Sequence, residues 1–149
     1  MRIVGGHFEN DGADVNVPLG FVPDYVRVYF QSAATGEVAV IDSFLTEMGD
    51  DKGFWFTKLA DNGATTLTTI IYKTGGGGET CGISAYNSGT SYDTGTENDD
   101  DDPVRATGGK GFTLDVSDIT GGTGIANGTE VWYMAILFDK DTDHGDINA

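Results

Sequence analysis

The chain is short of four things. It has one cysteine, three prolines, eight basic residues and no apolar run near the roughly 20 residues that span a bilayer. A lone Cys81 cannot form an internal disulfide, so the fold rests on burial or on partner subunits and not on covalent staples. Eight Lys and Arg against 24 Asp and Glu give a formal charge of −16. That charge repels a phosphate backbone and forgoes counterion release, so neither nucleic acid nor an anionic membrane is an expected partner. The opening Met1-Arg2-Ile3-Val4-Gly5-Gly6 has no apolar stretch of the kind a secretory signal needs, so export by that route is not expected. The same acidity makes self-repulsion costly in dilute buffer and mild once molar salt shortens the Debye length to about 3 Å, which points to a saline, halophilic working environment. An ordinary solubilising acidic surface is the alternative.

At 149 residues, with 38% apolar content and 8 Phe, 6 Tyr and 2 Trp, the chain has enough buried-type surface for one domain. Stretches with a helical period are nearly absent. The 23 glycines sit between short Val, Ile, Tyr, Phe and Thr runs, the pattern of many turns joining many strands. The expected fold is all-β, an antiparallel β-sandwich of jelly-roll-like type over residues 1–138, followed by an acidic tail over 139–149. Its clearest strand is Tyr25-Val26-Arg27-Val28-Tyr29-Phe30, with odd residues on one face and even residues on the other. Strands are also expected at Arg2 to Val4, Ala13 to Val17, Glu37 to Phe44, Gly53 to Thr57, Thr65 to Tyr72, Thr80 to Tyr86 and Gly111 to Asp115. The turn cluster Asn10-Asp11-Gly12 predicts a first hairpin, and the tetraglycine 75–78 a loop. Thr129 to Phe138, nearly continuous in apolar residues, reads as a central strand covered on both faces. Residues 87–103, polar and carrying four consecutive aspartates at 99–102, read as an exposed mobile loop.

Catalytic signals are weak. The tetraglycine is followed by Glu79-Thr80 and not by the Lys and hydroxyl of a phosphate-binding loop. Only His7 and His144 could serve as an imidazole base, and Cys81 has an acidic neighbour in Glu79 and no cation, so a small buried apolar role fits it better. No carboxylate pair stands out for glycoside hydrolysis among so many acids. The expectation is a protein that is not an enzyme. The best metal candidate is Asp139, Asp141 and Asp143, whose alternate spacing lets carboxylates converge on Ca2+ or another hard cation, although His144 stands where an EF-hand loop needs glycine. Asn127-Gly128-Thr129 matches the glycosylation acceptor pattern. The aromatics exceed what one small sandwich must hide. Trp132 and Phe138 are assigned to the core, whereas Tyr25 and Tyr29 are better candidates for contacts between chains.

Several segments together carry a family resemblance. Residues 6–12 (Gly6-His7-Phe8-Glu9-Asn10-Asp11-Gly12) and 17–28, with the turn Gly20-Phe21-Val22-Pro23 ahead of a strand, resemble the opening of small virion proteins of tailed viruses. Residues 54–64, 111–114 and 127–135 resemble later segments of the same family, so the likeness spans about residues 6–138. The family is that of head decoration, or cement, proteins. The resemblance implies β-sandwich modules, often homotrimers, that sit on the outer surface of the virion head and tie neighbouring copies of the major capsid protein together. Similar openings occur in tail and fibre proteins, so the alternative expectation is a receptor- or carbohydrate-binding module of a tail fibre or baseplate. The shared positions are turns and core strands, and they transfer no individual functional residue.

Overall fold

Two-residue alternation between Tyr25 and Gln31 sends Val26, Val28 and Phe30 into a buried interior and turns Arg27 and Tyr29 the other way. The same logic builds every strand of the computed structural model, which describes residues 1–31, 38–58, 68–74, 80–87, 109–115 and 127–138. Within these residues the elements are β1 (Arg2–Asn10), β2 (Val15–Pro18), β3 (Tyr25–Gln31), β4 (Val38–Ser43), the single helical turn α1 (Leu45–Met48), β5 (Gly53–Lys58), β6 (Thr68–Lys73), β7 (Ile83–Asn87), β8 (Lys110–Leu114) and β9 (Thr129–Leu137). No helix among them is long and apolar enough to cross a membrane.

The strands form two antiparallel sheets. The larger has the order β1-β9-β3-β4-β5-β6 and the smaller the order β2-β8-β7. The first strand pairs with the last, and the second pairs with the last but one, which is the nested wrapping of a jelly roll; β4, β5 and β6 extend the larger sheet as a meander. The expected all-β sandwich is therefore the observed fold. Its core lies between the sheets. Val28, Ile41 and Val131 of the larger sheet pack toward Val15, Ile83 and Phe112 of the smaller, all fully buried.

Polar groups tie the edges of this core. Buried Asp24, just ahead of β3, donates its backbone N–H to Ile136 O at 2.9 Å, and its carboxylate accepts from Thr46 Oγ1 and from Phe138 N at 2.8 Å. One carboxylate thus holds the end of β9, the helical turn and the start of β3 together. Between the sheets, Cys81 N donates to Asp51 O and Asp51 N to Ile83 O, anchoring β7 against the β4–β5 connection. Gly53 has to be glycine here, because a Cβ would stand 2.5 Å from Asp42 O and 3.2 Å from Cys81 Sγ.

Three expectations are corrected. The turn at Asn10-Asp11-Gly12 forms, with Gly12 N donating to Asn10 Oδ1 at 3.0 Å and Ala13 N to Asp11 Oδ1 at 3.1 Å, but it does not close a hairpin. It passes the chain from one sheet to the other, since β1 pairs with β9 and β2 with β8. Strand β9 is central, between β1 and β3, yet among the described residues only its inner face is fully covered: Val131 and Ala135 are fully buried, while on the outer face Met134 and Ile136 are half-buried and Trp132 is 46% exposed. The assignment of three aromatics is corrected as well. Trp132 and Phe138 are exposed, Trp132 through its outward parity in β9, whereas Tyr25 shares the outer face with Arg27 and Tyr29 but is buried there against the Phe44 ring, 4.8 Å away, and Asp42. The tetraglycine 75–78, the acidic loop beyond Asn87 and the tail 139–149 lie outside the described residues.

Candidate interaction surface

Register places the remaining apolar side chains on the outer face of the larger sheet. Across the strands, His7 stands opposite Trp132, Trp132 opposite Tyr29, Tyr29 opposite Val40 and Val40 opposite Phe56. The next row runs from Met134 through Arg27 and Asp42 to Phe54 and Tyr72. The Phe54 and Tyr72 rings sit 5.3 Å apart. Trp132, Tyr72, Ile3 and Val38 are exposed, and all four point out from this one face. Scattered exposed apolar residues are ordinary, whereas a contiguous set on one sheet face marks a contact surface.

A compact polar cluster sits within this face. Asp42, itself buried, accepts from Arg27 Nε at 2.6 Å and Nη2 at 2.7 Å, a paired geometry that adds specificity to charge. It also accepts from Tyr25 Oη at 2.7 Å. Burial, reinforced by the hydrogen bond to Asp42, pushes the Tyr25 phenol up to about 12, so it stays protonated across the physiological range. The bond to Asp42 likewise holds the Arg27 guanidinium above its ordinary value. With its charge matched and its donors engaged, the cluster orders side chains. At the β1 edge, His7 Nδ1 lies 2.5 Å from Glu130 Oε1, both groups being partly open to solvent.

The expected functional residues fall as follows. Asp139, Asp141 and Asp143, together with His144 and the 99–102 aspartates, lie outside the described residues. Among the described residues no group of three His, Cys, Asp or Glu is placed to hold a metal ion. Cys81 is fully buried and burial pushes its thiol up to about 11, so its small apolar role holds. His7 is on the outer face, away from the core that holds Cys81. Asn127 is exposed in the turn before β9, against Gly12, and Thr129 of the same tripeptide is buried with its hydroxyl unpaired among the described residues. The Tyr25–Arg27–Asp42 cluster escaped the sequence reading. Its signal was a single Asp inside the apolar run 38–43, but its pairing with Arg27 depends on the β3–β4 register.

No protein-family model, no curated relative and no solved structure matches this chain. Its function is therefore read from this surface and from the chemistry around it.

Proposed function

We propose that this chain is a virion structural protein, a decoration or cement protein that forms a homotrimer and clamps the outside of the assembled capsid lattice. The observation that carries the reading is the outer face of the larger sheet, where exposed Ile3, Val38, Tyr72 and Trp132 share one surface with half-buried Tyr29, Val40, Phe54, Phe56 and Met134, the kind of apolar face that marks a contact surface. The resemblance of residues 6–12, 17–28 and 127–135 to that family supports the reading. Mechanistically the protein acts by binding and performs no reaction. An oligomer that touches several copies of the major capsid protein gains avidity through effective concentration, and a ligand of the assembled lattice alone stabilises that lattice by mass action against internal pressure. Weak individual contacts suffice. The −16 charge fits a saline setting, where screening lets acidic copies approach.

Co-sedimentation tests the assignment. The protein is expected to pellet with intact heads, to stay in solution with free major capsid subunits, and to raise the temperature at which heads release their contents. Failure to pellet with heads at any salt concentration would overturn it. One observation favours a second reading: exposed Trp132 stands beside the His7–Glu130 pair, a flat ring next to hydrogen-bonding groups, which is how proteins grip sugars. Binding on a glycan array, lost on Trp132→Ala, would favour a receptor- or carbohydrate-binding module of a tail fibre or baseplate.

A further inference from the structure

Two copies of a chain carrying −16 repel wherever their surfaces bear that charge, so a stable contact between copies needs a patch that is locally neutral. The outer face of the larger sheet supplies one. On its two central rows the charged groups among the described residues are Arg27 and Asp42, which neutralise each other, and His7 at the β1 edge, which faces Glu130. A foreign partner selected by charge would use the acidic surface elsewhere, whereas a second copy brings the same neutral, apolar sheet.

Size agrees. Six strands about 4.8 Å apart, crossed by four rows of outward residues about 6.8 Å apart, make a face of roughly 800 Å², the area each partner contributes to a standard interface; the two central rows are its apolar middle, and Glu9, Glu130 and Lys58 stand in the row beyond them, at the rim. Resting on the reading of this chain as an oligomeric adhesive protein, we propose that the outer face of the larger sheet is the contact between copies of this chain, centred on Trp132, Tyr29, Met134, Phe54 and Tyr72. The capsid is then met by other surfaces, which stay acidic and solvated.

Sedimentation velocity on the full chain at 0.15 and 1 M NaCl tests this. The wild type is expected to sediment as an oligomer, and Trp132→Glu, which adds like charge on both sides of the contact, to weaken association at least tenfold. Circular dichroism should be unchanged, because Trp132 is 46% exposed and supports little of the core. Val38→Glu and Tyr72→Glu on the same face should act alike, and they answer the question should Trp132→Glu misfold. Lys110→Gln, exposed on β8 of the smaller sheet, should leave the mass unchanged. A wild-type monomer at both salt concentrations, or folded face variants that keep the wild-type mass, would overturn the proposal. The head co-sedimentation assay separates the two readings. An oligomer that these variants dissociate but that ignores heads supports the copy contact and removes the cement reading; a monomer that pellets with heads does the reverse.

Discussion

Gly111, in the middle of the smaller sheet, gives a prediction that runs against strand propensity. Alanine in a strand is ordinarily better than glycine by about 0.5–1 kcal/mol, because the unfolded chain has less freedom to lose. At residue 111 a Cβ would stand 1.8 Å from the backbone oxygen of Val17, 2.9 Å from its carbonyl carbon and 3.2 Å from Leu19 N. Ordinary contact needs about 3.5 Å, so β2 would have to retreat from β8 by roughly 1.5 Å. Retreat breaks the bonds from Leu19 N and Gly20 N to Lys110 O, at 2.9 and 3.0 Å, and draws Val15 and Val17 out of the core. Two hydrogen bonds at about 1 kcal/mol each, with overpacking of about 1–3 kcal/mol, outweigh the propensity gain and leave Gly111→Ala about 3 kcal/mol less stable. Urea denaturation of the two proteins, followed by tryptophan fluorescence, reads this directly, and the melting temperature should fall by roughly 10 °C. A variant as stable as the wild type would refute the close approach of β2 to β8.

Asp42→Ala strips the acceptor from Tyr25 and Arg27 at once and should cost about 2–3 kcal/mol in urea denaturation, most of it from the buried phenol, because Arg27 keeps part of its solvent; Asp42→Asn should cost less. Alkali should destabilise the fold. The folded state holds the Cys81 proton to about pH 11 against an ordinary 9.0, so it binds more protons than the unfolded chain, and about 3 kcal/mol present below pH 9 is lost on passing to pH 11. Cys81→Ala should remove that part of the profile and leave the later loss from Tyr25, between pH 10 and about 12; superimposable profiles would contradict this. Raising NaCl from 10 mM to 1 M should lift the melting temperature by roughly 5 °C as the Debye length falls from about 30 to 3 Å, and a flat or falling response would remove the self-repulsion argument.

Strands were legible where alternation was strong and local. The period at 25–30 is the observed β3, and the apolar runs at 37–44, 53–57 and 111–115 match β4, β5 and β8 to within one residue at most ends. Pairing was not legible, because it joins residues far apart in the chain. Asn10-Asp11-Gly12 carries the chemistry of a turn, but turn chemistry fixes a local bend and not which strand the next one meets. Trp132 was misplaced on a similar ground. An unbroken apolar run such as 131–138 reads as covered on both faces, and only the structure shows that one face meets no other element among the described residues. The Tyr25–Arg27–Asp42 cluster combines both difficulties: strand parity put Tyr25 and Arg27 on one face, but Asp42 reaches them only through the β3–β4 register.

The pairing of β1 with β9 also sets an order of events during synthesis. Strand β1 leaves the ribosome well before β9, since its partner residues, Thr129 to Leu137, are more than a hundred positions later. The β3-β4-β5-β6 meander can zip from near neighbours as it emerges, while β1 waits with both backbone edges open. Closing the β1–β9 seam should therefore be the slow, late step of maturation, and the nascent chain is most prone to aggregate just before it.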